Sequence, residues 1–175
     1  MRLIIGMSGS SGVIYGIRML EMLAACDGIE THLILSSAAR MNIGIETDWK
    51  VEDVEALADV VHNNKNIGAS IASGSFKTAG MVVVPCSMKT LSGVANSYAD
   101  NLIVRAADVV LKERRKLVIV PRESPLHTGH CELMLKARSN HFKQMIQTNS
   151  FDAFKSSPSN KGQALVKNVL KPLVF

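Results

Sequence analysis

Short apolar runs alternate with segments of helical period through the first three quarters of the chain. Arg2-Leu3-Ile4-Ile5-Gly6-Met7 predicts a buried strand, followed by the turn Ser8-Gly9-Ser10-Ser11-Gly12. Residues 12–25 place apolar side chains at helical spacing, and Gly28 ends that helix. Thr31 to Leu35 predicts a second strand, and Ser36-Ser37 an N-cap for a helix over 38–46. Val51 to Ala58 reads as a short acidic helix. Residues 60–78 are irregular, with a short strand at Ser70-Ile71-Ala72. Met81-Val82-Val83-Val84 is a strand that runs into Pro85-Cys86-Ser87-Met88-Lys89-Thr90-Leu91. Helices follow over 87–95 and 101–114, then a strand at 116–120 stopped by Pro121, then a helix from near Leu126 to about Ala137.

Strands alternating with helices predict a parallel sheet covered on both faces. In such sheets ligands bind at the carboxyl ends of the strands. The turns after the first and the Met81 strands are rich in glycine, serine and threonine. They offer backbone N–H groups, hydroxyls and helix dipoles to an anion. A phosphorylated ligand such as a nucleotide or flavin is the expectation.

A chain of 175 residues, 47% hydrophobic and 20% charged, fits one globular domain. No apolar run reaches membrane-spanning length, and the first residues lead straight into a strand, so a signal peptide is not expected. Cys26, Cys86 and Cys131 are three in number with no metal-ligand spacing, which suits a reducing cytoplasm. The net charge of +5 is uneven. Residues 1–135 hold 13 Lys/Arg against 14 Asp/Glu, a net of −1, and residues 136–175 hold seven against one, a net of +6. The basic tail lacks interleaved aromatics and any nucleic-acid module, so no nucleic-acid partner is expected.

The motifs together resemble the UbiX-type flavin prenyltransferases, a family also known as phenylacrylic acid or 3-octaprenyl-4-hydroxybenzoate decarboxylases. The matching pieces are Gly9-Ser10-Ser11-Gly12, Ser36, Glu46-Thr47, Ser73-Gly74-Ser75-Phe76, Pro85 to Leu91, Tyr98 to Leu102, Arg105 to Glu113 and Val120-Pro121-Arg122-Glu123-Ser124-Pro125-Leu126. They cover residues 2 to about 137 in family order, and the stretch around Ala56 to Asp59, with His62-Asn63, is most similar to the phenolic acid decarboxylase subunits. The resemblance implies a three-layer flavodoxin-like (Rossmann-like) fold with an FMN-binding core over 1–137. It implies transfer of a dimethylallyl group from dimethylallyl monophosphate to N5 and C6 of reduced FMN, without metal. It also implies a UbiD-type aromatic acid decarboxylase that receives the product, and a homo-oligomer, usually a dodecamer, with sites built between subunits.

The same resemblance assigns roles. Gly9, Ser10 and Ser11 would approach the flavin, where larger side chains would obstruct, and Ser11 would lie near the reacting prenyl carbon. Ser36 would donate to the FMN phosphate, and Ser87, Met88, Lys89 and Thr90 would hold the flavin. Met88 and Cys86 also suit simple packing, and Cys86 is not needed as a nucleophile. Lys112 lies seven residues after Arg105, so one helix face can carry both. With Arg122, these cations would stabilise the charge that builds on a leaving phosphate. Arg114, Arg115 and Lys116 read instead as a solvated face. Glu123 would handle a proton, and Glu46 would orient the phosphate or serve as a second acid/base; a plain Glu–Arg pair is the alternative. His127, His130 and Cys131 lack a fourth ligand, so a metal site is not expected.

Residues 138–175 depart from the family pattern. The family continues with a strand, a proline-rich segment ending in Ala-Phe-Tyr and an amphipathic helix; here Ile146 to Lys155 holds no proline pair, and no tyrosine follows Tyr98. Lys155, Lys161 or Lys167 would have to supply the phosphate charge, and residues 163–170 suit one short helix. The segment is either diverged or translated out of the ancestral frame, and the abrupt polar shift favours the second slightly. Two further functions stay open beside prenyl transfer: an FMN-binding carrier that has lost catalysis, and a decarboxylase acting on hydroxybenzoate-like or phenolic acids.

Overall fold

The computed structural model describes residues 1–139 and 144–145. Six parallel strands form one sheet in the order β3-β2-β1-β4-β5-β6. They are β1 (Arg2–Met7), β2 (Glu30–Leu35), β3 (Val60–Asn63), β4 (Gly80–Cys86), β5 (Lys116–Pro121) and β6 (Gln144–Met145). Six α-helices accompany them: α1 (Val13–Ala24), α2 (Ser37–Glu46), α3 (Val51–Glu55), α4 (Met88–Ala95), α5 (Leu102–Lys112) and α6 (Thr128–Ser139). Without the short edge strand β3, the order is that of a flavodoxin-like sheet; β3 extends it by one.

The sheet is apolar on both faces because helices cover both, which is why β1 and β4 read as almost unbroken hydrophobic runs. Leu3, Ile5, Met7, Leu33, Leu35, Val82 and Val84 pack under α1, α2 and α3. Ile4, Ile34, Met81, Val83, Leu117 and Ile119 pack under α4, α5 and α6. The period of two along each strand sends alternate residues to opposite layers.

Two expectations for residues 60–78 are corrected. Val60–Asn63 is a strand, paired with β2 from His32↔Val60 to Leu35↔Asn63. Its exposure alternates half-buried and exposed, as an edge strand should, but four residues ending in His-Asn carry too little pattern to show it. Ser70–Ala72 is a single 3-10 turn rather than a strand, and it buries Ile71 against α5. Within the polar tail, where no clear strand was expected, Gln144–Met145 pairs with Val118 and Ile119. The expected helix at 163–170, the loop at 156–162 and the candidate lysines Lys155, Lys161 and Lys167 lie outside the described residues.

Candidate functional site

The chain leaves β1 in one direction for β2 and β3 and in the other for β4, β5 and β6. The gap between β1 and β4 is therefore the topological switch point, where α/β sheets bind ligands. Both predicted turns lie there, Ser8–Gly12 after β1 and Ser87 after β4.

Ser8, which the sequence did not single out, joins them. Its hydroxyl donates to Pro85 O at 3.2 Å and accepts from Ser87 N at 2.8 Å. The Ser10 hydroxyl donates to Arg122 O at 3.2 Å, and Arg122 N donates to Cys86 O at 3.1 Å. The ends of β1, β4 and β5 are thus sewn into one rim. Ser8 and Ser10 are buried, so these bonds are shielded from water and hold the rim in one geometry.

Three helices begin at this rim, and their N-termini are not equivalent. At α1, Glu46 Oε2 accepts from Gly12 N at 2.8 Å and Val13 N at 3.3 Å. A carboxylate from the end of α2 already fills that dipole end, so the first turn does not offer it to a ligand as the sequence suggested. At α2, the Ser36 hydroxyl accepts from Ala39 N at 3.0 Å, which leaves its own O–H to donate outward. At α4, Ser87 accepts from Thr90 N at 3.3 Å and donates to Thr90 Oγ1 at 3.1 Å. The first-turn N–H groups of Ser37 and Ala38, and of Met88 and Lys89, have no intrahelical acceptor by position. These two helix ends have the donor set for a phosphate or a flavin edge, so the residues present fit FMN.

The glycines of the first turn serve the protein itself. A Cβ on Gly9 would lie 2.3 Å from Ala38 Cβ, so packing against α2 by itself requires glycine there. Gly12 has φ 97°, a left-handed conformation that favours glycine, with the Tyr15 ring against it. Tyr15 is buried in α1; burial pushes its phenol up, and the Arg122 guanidinium pulls the other way. Arg122 therefore faces the start of α1 from the end of β5. Glu123, beside it, accepts from Ser124 N at 3.1 Å through Oε1.

Arg105 and Lys112 share α5 but not a location. Leu102 N donates to Asn64 O at 2.8 Å, just past the carboxyl end of β3. Lys116, just after α5, begins β5 beside Gly80, at the amino end of the sheet. So α5 runs from the site edge to the opposite edge, with Lys112 about 10 Å further along it than Arg105. Within one protomer Lys112 does not join the serine cluster. It pairs with Glu113 at 3.3 Å, and Arg105 pairs with Asp108 at 3.2 Å.

The reading of Arg115 as solvated is corrected. Its side chain is only 11% exposed and donates to Gly74 O at 2.6 Å, Phe76 O at 2.8 Å and Thr78 Oγ1 at 3.3 Å. Arg115 thereby pins the Ser73–Phe76 motif, a contact invisible to a linear pattern. Cys86 is fully buried and its thiol is pushed up to about 12 by burial, which suits packing and not nucleophilic chemistry. Met88 packs against the α4–α5 layer, while Lys89 is exposed. The His127 and His130 rings lie tilted at 34° with centroids 3.7 Å apart, and among the described residues no three His, Cys, Asp or Glu side chains are placed to hold a metal.

The Flavoprotein family model matches residues 1–159. The chain is 59% identical over 136 residues to the flavin prenyltransferase UbiX of Escherichia coli, covering 78% of this chain and 72% of that one. It is 57% identical over 140 residues to the flavin prenyltransferase UbiX of Thauera aromatica, with 80% and 72% covered. Among solved structures, a dodecameric FMN-dependent UbiX-like decarboxylase from Escherichia coli superposes with TM-score 0.92 at 44% identity, covering 100% of this chain and 96% of that one. A UbiX (PadA1) structure in complex with FMN and dimethylallyl pyrophosphate superposes with TM-score 0.89 at 38% identity, covering 99% and 92%. With its rim of serines at the switch point and this degree of likeness along the core, the chain belongs to the flavoprotein family, in its UbiX flavin prenyltransferase branch.

Proposed function

We propose that this protein is a flavin prenyltransferase that joins a dimethylallyl group from dimethylallyl monophosphate to reduced FMN. The observation that carries this is the 59% identity over 136 residues to a flavin prenyltransferase. The candidate positions, Gly9 to Glu123, all fall inside the matched family region. Reduced FMN supplies the ring atoms N5 and C6 that accept the prenyl group. No metal enters the reading.

The residues divide the work by position. The Ser36 hydroxyl and the free N–H groups of α2 hold a phosphate, with Gly9, Ser10 and Ser11 forming the floor of the turn. Ser87, Met88, Lys89 and Thr90 at the start of α4 contact the flavin ring edge. Arg122 stabilises negative charge on the departing phosphate, because a guanidinium fixed beside it before reaction costs no reorganisation when the charge develops. Glu123, next in sequence, delivers or removes the proton. Glu46 holds the turn through Oε2, and we assign its carboxylate the part of orienting the phosphate or serving as a second acid/base. Ser11 lies by the prenyl carbon.

Arg105 and Lys112 belong to the same phosphate chemistry, and Lys112 lies at the end of α5 away from the rim of its own protomer. A homo-oligomer, of the dodecameric kind seen in the similar solved structure, would deliver them from a neighbouring copy. Residues 1–137 form the FMN-binding core and 138–175 a divergent segment of the same domain. Among the described residues no helix is long and apolar enough to cross a membrane. A cytoplasmic enzyme handing prenylated flavin to a UbiD-type aromatic acid decarboxylase is the setting we infer.

The test is the mass of the flavin after anaerobic incubation with reduced FMN and dimethylallyl monophosphate. A gain of one C5 unit supports prenyl transfer and shows that the tail suffices. Bound but unmodified FMN favours the carrier reading, for which the lack of any tyrosine after Tyr98 is the supporting feature. Carbon dioxide released from an aromatic acid by the isolated protein would instead favour direct decarboxylation.

A further inference from the structure

The Glu46-Thr47 pair marks the point where α2 stops. Thr47 has an extended backbone, φ −140° and ψ 164°, so the helix does not continue through it. Three hydrogen bonds converge on this residue. Thr47 N donates to Ile43 O at 3.1 Å, and the Thr47 hydroxyl donates to the same carbonyl at 2.7 Å. The hydroxyl oxygen accepts in turn from Trp49 N at 3.2 Å. A hydroxyl carries one proton and two lone pairs, and this one works in both directions. Both of its partners are anchored in the core. Ile43 is fully buried, and Trp49 packs against the same apolar cluster. The hydroxyl therefore clasps the last turn of α2 to the chain that leaves it, one residue beyond Glu46.

We infer that Thr47 is a positioning residue for the reaction, and that it acts by fixing the backbone from which the Glu46 carboxylate reaches the start of α1. This rests on Glu46 serving the prenyl-transfer site. Glu46 is the last residue of α2, and its Oε2 spans from there to Gly12 N at 2.8 Å and Val13 N at 3.3 Å. A glutamate side chain samples many rotamers, and ordering it in one of them opposes the contact. The reach holds only where the backbone beneath it is fixed. Ile43 O lies among the last four carbonyls of α2, which have no partner within the helix. Thr47 supplies both of its donors, one from the backbone and one from the side chain. Loss of the hydroxyl frees the last turn to fray, and fraying carries the base of the Glu46 side chain away from Gly12. The contacts thus run from the core at Ile43, through Thr47 and Glu46, to the turn after β1.

The experiment compares the wild type with Thr47→Val, Thr47→Ala, Thr47→Ser, Glu46→Ala and the double variant Glu46→Ala/Thr47→Val, with circular dichroism to report the fold. Valine keeps the branched shape of threonine and removes the hydroxyl; alanine is the second hydroxyl-free variant should valine fail to fold. Hydrogen exchange of the Gly12 and Val13 amides reads whether Glu46 is in place. Both should exchange roughly 2- to 10-fold faster in Thr47→Val, the span of one net hydrogen bond, and at the wild-type rate in Thr47→Ser. Initial rates with reduced FMN and dimethylallyl monophosphate read the consequence. The kcat should fall by a similar factor in Thr47→Val, with FMN affinity unchanged, and recover in Thr47→Ser. In the Glu46→Ala background Thr47→Val should cost nothing further, because the group it positions is gone. Wild-type exchange at Gly12 and Val13 in both hydroxyl-free variants, an equal kcat loss with and without Glu46, or no recovery with serine would each overturn the inference. A wild type that transfers no prenyl group is the failure of the catalytic reading alone, and the amide exchange then decides whether Thr47 places Glu46.

Discussion

Glu46 Oε2 lies 2.8 Å from the backbone nitrogen of Gly12, across 34 residues of chain. A carboxylate at a helix N-terminus is stabilised by the unpaired N–H groups and the dipole there. Its negative charge therefore sits at the lip of a site for anions without opposing them from an unpaired position. Glu46→Ala removes the acceptor for two backbone donors and should cost about 0.5–2 kcal/mol, the range for lost caps. Glu46→Gln retains an acceptor oxygen and should cost less. Urea unfolding of the three proteins checks the order; equal stability would mean the bonds contribute nothing.

The contact between Gly9 and Ala38 separates packing from ligand clearance. Gly9→Ala places a methyl carbon 2.3 Å from Ala38 Cβ, and overpacking of this kind costs about 1–3 kcal/mol. Ala38→Gly in the same chain should recover most of that loss. If the double variant regains both stability and FMN affinity, Gly9 is glycine for the sake of α2. Recovery of stability alone would restore the ligand as the reason.

The histidines of the sheet edge make stability depend on pH. His32 Nδ1 lies 2.9 Å from His62 Nε2, and His32 Nε2 lies 3.0 Å from Glu30 Oε1. Burial first, then the proximity of His32, lowers the pKa of His62. The folded state thus binds a proton there less readily than the unfolded chain. Its contribution is fully present above the unfolded value of about 6.5 and is lost as pH falls below it. The thermal midpoint of the wild type should fall between about pH 7 and pH 5.5, and less so in His62→Gln. A slope identical in the two proteins would place the titration elsewhere.

The three thiols should differ in reactivity. Cys26 and Cys131 are exposed, whereas Cys86 is buried. Burial pushes the Cys86 thiol up to about 12, so almost none is thiolate at neutral pH. In the native protein a thiol reagent should modify two cysteines, and urea should release the third. Rapid modification of all three would show that the β4 end opens readily.

Strands β1, β2, β4 and β5 were legible because each is a short apolar run bounded by turn residues. The serine cap at Ser36 was legible from its position before a helical segment, whereas Ser87, read as the first residue of its helix, is the residue that caps it. What escaped the sequence depends on contacts distant along the chain. β3 exists because β2 offers it an edge, and its own residues give only a weak alternation. Ser8 looked like a plain turn residue until β4 came alongside to use its hydroxyl. Arg115 stands in a basic run that reads as surface, yet the backbone of residues 74–78 folds over it and consumes its donors. Arg105 and Lys112 do lie on one helix, as their spacing suggested. That spacing misled about place, since two helical turns carry Lys112 to the far end of the sheet.

The sheet order has a consequence for how such a chain can change over time. β1, the first strand made, sits in the middle, and β6 hangs on the outside of β5 alone. The rim contacts traced above all fall between Ser8 and Arg122. A change in β1 disturbs β2 and β4 together, whereas a change in β6 touches β5 alone among the described residues. The identity to prenyltransferase relatives extends over 136 to 140 residues, so the likeness is carried by a length of chain that can hold the whole rim and the strands behind it.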